Sequence, residues 1–262
     1  QVNRVAGPLG VQLSAAGPPV IGPNLLALPL QRDKSKLAFT LENVISAEEC
    51  SQLVAAAEAE GFAAAGLGRA GEQVASRELR DSARLISEDP LLAAALFQRI
   101  RLYLPVVWQG RRLLGLNEQL KFLRYHPGQK FVAHFDGEVC RPGTKNRTCL
   151  TAQLYLSADQ VEGGSTRFVG GLGESGLPCL PLQGRVLVFQ HNILHEGEEV
   201  RQGVKYTLRT DVEYGPETLG ARLQEMLGLG GSLFEQRRLL LLSTLLAATA
   251  VALGHIRSRK VL

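Results

Sequence analysis

This sequence of 262 residues lacks the cysteine spacing of a structural zinc site. Its four cysteines, Cys50, Cys140, Cys149 and Cys179, include no CxxC pair, which argues against a zinc-binding cysteine cluster. Cys140 and Cys149 flank a polar loop and would pair in an oxidising compartment. Reduced thiols, as in the cytosol, are the simpler expectation.

The sequence also lacks a broad basic region. Of its 29 lysines and arginines, five lie near the C-terminus, and the remaining 24 balance the 25 acidic residues. Those five are Arg237, Arg238, Arg257, Arg259 and Lys260. A near-neutral body does not offer the cluster of cations that neutralises DNA or RNA phosphates. We therefore expect no nucleic-acid partner.

Sustained apolar periodicity is missing from the N-terminal residues 1–36. This segment is rich in Gly, Pro and Ala, which interrupt each apolar run, so it indicates no signal peptide and predicts a flexible extension. A single domain is expected over residues 37–214, opening with a strand and then a helix that Ser46 would cap. A second helix is predicted from Pro90 to about Leu102.

A sustained apolar run is present at the other end of the chain. Residues 215–236 predict a helical linker, with an amphipathic helix at 217–227. Within residues 237–262, the stretch 239–254 is apolar on all sides and has arginines on both flanks, although a bilayer core usually needs ~20 residues. We expect a C-terminal tail anchor on the cytosolic face of an organelle membrane. The alternative is a cytoplasmic protein in which this segment is a buried helix.

Two histidines and one aspartate are the candidate metal ligands. His134 and Asp136 lie in a predicted strand over residues 131–136, so their side chains point to the same face while Phe135 is expected to turn into the core. His195 lies 59 residues beyond Asp136, after another predicted strand at 184–190. Two imidazoles and one carboxylate make the facial triad of non-haem Fe(II), which leaves positions open for a co-substrate and O₂. His191 is the alternative third ligand.

A lysine follows the last candidate ligand in the sequence. Lys205 follows His195 by ten residues, in a predicted strand over residues 204–212 that places Lys205, Thr207 and Arg209 on one face. A cation on an inward face is able to pair with the far carboxylate of a metal-bound dicarboxylic acid. The spacing to Lys205 favours His195 over His191 as the ligand.

These motifs resemble the prolyl 4-hydroxylase-like branch of the Fe(II)/2-oxoglutarate dioxygenases. The resemblance extends from about residue 37 to residue 214 and lies in FLRYHPGQKFVAHFD (122–136), LYLS (154–157), EGGSTRF (162–168), HEG (195–197) and GVKYTLRTDV (203–212). The upstream stretches RDSARL (80–85) and RIRLYLP (99–105) are also similar to this branch.

The resemblance implies a role for each matching residue. His134, Asp136 and His195 would bind Fe(II). Lys205 would bind the C5 carboxylate of the co-substrate 2-oxoglutarate, and Tyr125 would reach the same molecule through its hydroxyl. Arg209 is a weaker candidate for co-substrate binding. O₂ is the second co-substrate, and ascorbate is expected as a supporting reductant.

The resemblance also implies a fold and an activity. We expect a mainly β protein with supporting helices, built as a double-stranded β-helix (jelly roll). The expected reaction is hydroxylation of an unactivated C–H bond in a protein or peptide, on a peptidyl proline, with release of succinate and CO₂. Collagen-type prolyl hydroxylases often carry Trp just after the co-substrate lysine, where this chain has Tyr206, so a 2-oxoglutarate oxygenase with a non-prolyl substrate is one alternative. Another is a catalytically inactive jelly-roll interaction module, and a third is a cupin-type metal isomerase or hydrolase.

Overall fold

Antiparallel β-strands are the main regular secondary structure in the part of the chain that the structure, a computed structural model, describes: residues 7–14, 17–65, 79–157, 160–173 and 175–227. The strands in these residues are β1 (Ile21–Leu25), β2 (Ala38–Glu42), β3 (Ala63–Ala64), β4 (Ala83–Glu88), β5 (Val107–Trp108), β6 (Arg111–Leu116), β7 (Gln119–Tyr125), β8 (Phe131–His134), β9 (Arg147–Tyr155), β10 (Glu162–Gly163), β11 (Thr166–Phe168), β12 (Leu177–Cys179), β13 (Val186–Gln190), β14 (His195–Gly197), β15 (Val200–Gln202) and β16 (Lys205–Glu217). The α-helices are α1 (Ala47–Glu60), α2 (Pro90–Ile100) and α3 (Leu219–Met226), and short 3-10 helices cover Gln31–Asp33 and Arg101–Tyr103.

Two sheets form the double-stranded β-helix. The larger sheet has the strand order β1-β2-β13-β9-β16-β7-β4-β3, and the smaller has the order β12-β11-β14-β8. Neighbours in both orders are antiparallel. The predicted jelly roll is therefore confirmed.

The core contains side chains from both sheets. One buried cluster joins residues of β2, β9 and β13 in the larger sheet to residues of β11 and β12 in the smaller one: Leu28, Ala38, Tyr155, Phe168, Cys179, Leu187, Phe189 and Ile193. β13 is buried at four successive positions from Val186 to Phe189, as expected of a strand covered on both faces. The cluster adjoins the candidate ligands, because Phe168 of β11 is directly opposite His195 of β14.

The helices of the domain begin where the sequence predicts. Ser46 caps α1 in a capping box, because its hydroxyl accepts the N–H of Glu49 (3.1 Å) while the Glu49 carboxylate accepts the N–H of Ser46 (2.9 Å). Arg99 of α2 pairs with the same carboxylate at 2.6 Å, and this hydrogen bond lowers the pKa of Glu49 to about 2. Pro90 opens α2, where the missing N–H costs nothing.

The N-terminal segment differs from the flexible extension that its composition suggests. β1 lies within residues 1–36 and pairs with β2, where Asn24 is opposite Thr40 and Leu25 is opposite Phe39. Gly and Pro residues obscure this strand in the sequence, because they break the alternation of polar and apolar residues that identifies a strand. The strand belongs to the larger sheet.

The described residues divide into two compact units. One comprises residues up to 101 together with 114–216, and it contains all the candidate site residues. The other comprises 102–113 with residues from 217 onward. Within it, the Glu225 carboxylate on α3 accepts the N–H groups of Gln109 (3.0 Å) and Gly110 (2.8 Å).

The predicted C-terminal anchor, 239–254, lies outside the described residues, and so do residues 228–236 of the predicted linker. The described part of the linker contains α3, as its amphipathic pattern predicts. Among the residues that the structure describes, no helix is both long and apolar enough to cross a membrane.

Candidate active site

Two short strands bring the candidate ligands together. β8 and β14 are neighbours in the smaller sheet, and His134 is directly opposite His195. Asp136 follows the end of β8, and its carboxylate oxygens lie 3.8 Å from Nε2 of His134 and 3.8 Å from Nε2 of His195. The three ligand atoms are all within 4.8 Å of one another.

Hydrogen bonds select the tautomer of both histidines. Nδ1 of His134 is 2.8 Å from the carbonyl oxygen of Val132, and Nδ1 of His195 is 2.9 Å from that of Ile193. A carbonyl oxygen only accepts, so Nδ1 must carry the proton in each ring and Nε2 keeps its lone pair. This is the arrangement that orients metal-binding histidines.

Burial keeps the two imidazoles neutral, as metal ligands must be. It lowers the pKa of His134 to about 4, because the ring would have to be charged both away from water and next to His195, and it also lowers the pKa of His195. Aromatic rings hold both side chains in place: Phe131 stacks on His134 with ring centroids 3.7 Å apart, and Phe189 meets His195 edge-on at 4.6 Å.

Asp136 is held on both carboxylate oxygens and through its backbone. Its Oδ2 accepts the hydroxyl of Thr151 at 2.5 Å, and its Oδ1 is 3.0 Å from Nη2 of Arg209. Its backbone N–H donates to the carbonyl oxygen of His191 at 3.0 Å. Burial acts to raise the pKa of Asp136, but the charge of Arg209 and the other neighbours outweigh it and lower that pKa to about 2. The group is therefore a carboxylate at neutral pH.

The His191 side chain is directed elsewhere. Its Nε2 lies 3.4 Å from Oδ1 of Asp211, and the described residues form their three-ligand cluster with His195 instead. The backbone of His191 still contributes, because its carbonyl oxygen holds the N–H of Asp136. The choice of His195 over His191, made from the spacing to Lys205, agrees with the fold, which brings His195 next to His134 and Asp136.

The prediction for Phe135 is wrong. Its side chain is 54% exposed rather than turned into the core. The alternation along the strand holds, since His134 and Asp136 share one face, but the opposite face of β8 is the outer face of the smaller sheet. Ala133, on that same outer face, is exposed too.

Lys205 lies in the same cavity as the three candidate ligands. It begins β16, where it pairs in register with Tyr125 of β7, and both residues line the cavity together with Thr207 and Arg209. The Lys205 ammonium lies 5.2 Å from the ring centre of Tyr125 and 5.9 Å from that of Tyr155. Only 3% of Lys205 is exposed, and burial lowers its pKa to about 8.

Two residues of the site were not anticipated from the sequence. Thr151 on β9 donates to Asp136, and Asp211 on β16 pairs with Arg209 (3.1 Å). Asp211 was detectable in principle, because it lies two residues beyond Arg209 on the same strand and so shares its face. Thr151 had no such signal, since its contact with Asp136 depends on how β9 packs beside β16.

The donor set fits a divalent iron ion. Two imidazole Nε2 atoms with free lone pairs and one ionised carboxylate converge from one side, which is the ligand set and open geometry that non-haem Fe(II) sites use. Such a metal site, inside a jelly roll and sharing its cavity with a buried lysine, is characteristic of the Fe(II)- and 2-oxoglutarate-dependent oxygenases.

Comparison with known proteins supports that class. Residues 120–210 match the family model of the 2OG-Fe(II) oxygenase superfamily, a segment that contains the three candidate ligands and Lys205. The predicted similarity to the Fe(II)/2-oxoglutarate oxygenases, and with it the prediction of such an enzyme, is confirmed over this segment. No curated protein matches the chain.

Solved structures with similar folds include prolyl hydroxylases. The prolyl hydroxylase of Trichoplax adhaerens, in complex with a peptide fragment of the hypoxia inducible factor oxygen degradation domain, is 15% identical, with 67% of this chain and 82% of that chain covered and a TM-score of 0.51. The viral collagen prolyl hydroxylase of Paramecium Bursaria Chlorella virus-1 is 19% identical over 67% of this chain and 95% of that one, with a TM-score of 0.48. A Pseudomonas putida prolyl-4-hydroxylase is 18% identical over 69% and 94%, with a TM-score of 0.46. At these identities the likeness concerns the fold alone.

Proposed function

We propose that this protein is an Fe(II)- and 2-oxoglutarate-dependent hydroxylase that acts on a peptidyl proline of a protein or peptide substrate. The observation that carries the co-substrate part is the buried ammonium of Lys205. Among the described residues no carboxylate forms an ion pair with it, and the nearby Glu198 pairs with Arg167 at 3.3 Å instead. A buried cation without a partner is costly, so an entering dicarboxylate would supply what the cavity lacks.

The roles of the side chains follow from their placement. His134, Asp136 and His195 would hold Fe(II) on one side and leave its other side open. Lys205 would bind the C5 carboxylate of 2-oxoglutarate and so set which end of that molecule faces the metal, with Tyr125 beside it. When bound, iron supplies the chemistry by which O₂ oxidises 2-oxoglutarate to succinate and CO₂ and hydroxylates the substrate C–H bond. The side chains of Asp136 and His195 are 6% and 7% exposed, which limits access of bulk water.

The choice of a prolyl substrate rests on the motifs at 122–136 and 203–212. The Trichoplax adhaerens hydroxylase, which has the same fold, was solved with a peptide fragment, and this supports a peptide as the substrate here. The Tyr206 departure keeps a non-prolyl substrate as the alternative. Ascorbate, which would restore oxidised iron, belongs to the same proposal and is tested by leaving it out.

The experiment measures succinate and substrate oxidation together. The full chain is incubated with Fe(II), 2-oxoglutarate, isotopically labelled O₂ and a set of proline-rich peptides, and the peptides are then analysed by mass spectrometry. We expect succinate in amounts matching the peptide that gains one labelled oxygen atom on proline, and neither product with the Asp136→Ala variant. Succinate without labelled proline would reject the prolyl substrate, and no succinate under any condition would reject the oxygenase.

We also propose that residues 239–254 anchor the enzyme to a membrane with its catalytic domain in the cytosol. The support is the apolar composition of this stretch and its arginine flanks, since arginines extend the effective span of a short apolar helix. Truncation after Ser232 should release the enzyme from carbonate-extracted membranes without changing its turnover. A full chain that stays soluble, together with a truncated chain that is less stable, would identify the segment as a packed helix.

A further inference from the structure

One nitrogen of Arg209 bridges two carboxylates beside the candidate metal site. Its Nη2 lies 3.0 Å from Oδ1 of Asp136 and 3.1 Å from Oδ1 of Asp211, and it is 3.4 Å from the hydroxyl of Thr151. The Arg209 side chain is 19% exposed and that of Asp136 only 6%. These contacts therefore lie in a largely dehydrated region, where charge-assisted hydrogen bonds are strong.

Asp211 in turn pairs with a second cation, and His191 lies beside it. It is 1% exposed, its Oδ2 accepts from the ammonium of Lys121 at 3.2 Å, and its Oδ1 lies 3.4 Å from Nε2 of His191. Arg209 and Asp211 share one face of β16, and Asp211 is directly opposite Thr151 of β9. The guanidinium is therefore held in position by a partner that is not a candidate metal ligand.

We propose that Arg209 is a positioning residue for Asp136 rather than a residue that binds 2-oxoglutarate; this inference rests on the proposed function. The guanidinium of Arg209 already pairs with the carboxylates of Asp136 and Asp211. The ammonium of Lys205, by contrast, forms no ion pair with any described residue. Arg209 and Thr151 together occupy both oxygens of Asp136, so the carboxylate is oriented before any metal arrives. Outer partners of this kind raise metal affinity by fixing the geometry of the ligand.

Charge alone would work in the opposite direction, because a nearby cation repels a metal ion. Asp211 removes most of that effect. It lies on the same guanidinium nitrogen, so Arg209 and Asp211 form a nearly neutral pair as seen from the metal. The main contribution of Arg209 to metal binding is then the orientation of Asp136. Replacing Arg209 and Asp211 together leaves the net charge unchanged and therefore tests this contribution by itself.

The test is the affinity for Co(II) of the full chain without 2-oxoglutarate, with Co(II) in place of Fe(II) because it is stable in air and its visible spectrum reports coordination. The variants are Arg209→Gln and the double variant Arg209→Gln/Asp211→Asn. In the double variant Asp211 is no longer left as a buried carboxylate without Arg209, so the loss of Arg209 from Asp136 is the main remaining change. We expect both to bind Co(II) at least about tenfold more weakly than the wild type, with an altered Co(II) spectrum. Their 2-oxoglutarate affinity at saturating Co(II) should stay within about threefold of the wild type, well short of the tenfold step of 1.4 kcal/mol.

The matched control is Lys121→Gln, which also removes a cation from Asp211 but does not touch Asp136, and it should bind Co(II) as the wild type does. The thermal unfolding midpoint of each metal-free variant distinguishes a loss of stability from a loss of ligand orientation. The double variant should be more stable than Arg209→Gln yet bind Co(II) no better. Recovery of wild-type Co(II) affinity in the double variant would overturn the inference in favour of a structural role.

Loss of 2-oxoglutarate affinity with wild-type Co(II) affinity, as expected for Lys205→Ala, would overturn the inference in favour of a co-substrate role for Arg209. If the wild type itself bound no Co(II), the metal site of the proposed function would be rejected and this inference with it. The failure of the inference alone, with Co(II) bound normally by every variant, would leave the proposed function intact.

Discussion

The two ends of the candidate cavity differ in how their charges are balanced. At the metal end, Asp136 has Arg209 and Thr151, and Arg209 has Asp211 as a second partner. At the other end the ammonium of Lys205 lies among tyrosine rings, and no described residue forms an ion pair with it. The side-chain charges at the metal end are paired with one another without any ligand. The ammonium at the other end gains an oppositely charged partner only when an anion enters.

This difference predicts how each end responds to substitution. A change at the metal end leaves a buried charge without its partner, so it affects both metal binding and stability. A change at the Lys205 end removes a buried cation that had no protein partner, so stability should stay the same or improve while ligand binding is lost.

The largest effect is expected from the ligands themselves. His134→Ala and Asp136→Ala should abolish turnover, because two remaining ligands do not hold the metal in the geometry that the reaction requires. Metal content and succinate release are the measurements, and circular dichroism should show an intact fold, since iron here serves chemistry. Full activity in either variant would contradict the metal site. His191→Ala should keep its metal, and a loss there, with retention in His195→Ala, would move the third ligand to His191.

The next effect is on the affinity for 2-oxoglutarate. Lys205→Ala leaves a desolvated carboxylate without a charged partner, a loss of about 2–5 kcal/mol, so the affinity should fall at least about tenfold. Titration calorimetry with Mn(II)-loaded protein measures it. Metal affinity should be unchanged and the metal-free protein no less stable. A variant that binds 2-oxoglutarate normally would show that the buried ammonium is not its binding partner.

The same lysine predicts a pH dependence. Burial lowers its pKa to about 8, so the ammonium is charged below that pH and loses its proton as the pH rises through it. Affinity for 2-oxoglutarate should therefore fall by about tenfold between pH 7 and pH 9. Lys205→Arg, whose guanidinium stays charged over this range, should show a flat profile. An equally steep fall in Lys205→Arg would assign the titration to another group.

The smallest effect is expected outside the cavity. Ser46→Ala removes the hydroxyl that accepts the N–H of Glu49 at the start of α1, and losing such a cap costs about 1 kcal/mol of unfolding free energy. Urea unfolding of the metal-free protein measures this loss. The affinities for Co(II) and for 2-oxoglutarate should equal those of the wild type, and a change in either would mean that α1 influences the cavity.

Local patterns in the sequence predicted the class of fold and the residues that the fold brings together. His134 and Asp136 were predictable because a strand has a period of two, and the Ser46 cap because its partner is three residues away. What failed depends on the tertiary arrangement: whether Phe135 faces the core or solvent is decided by which sheet lies behind β8. The pairing of Arg209 with Asp136 was unpredictable for the same reason, since it joins strands that are distant in sequence.

The direct pairing of His134 with His195 has a consequence for the sheet itself. β8 is only four residues long, and a slip of one residue against β14 would exchange its inner and outer faces. An ion bound by both histidines would stabilise the register in which His134 is opposite His195. We expect chelation to speed amide hydrogen exchange in β8 and β14 more than elsewhere in the domain. Loss of the ion would then loosen this strand pair before the rest of the domain.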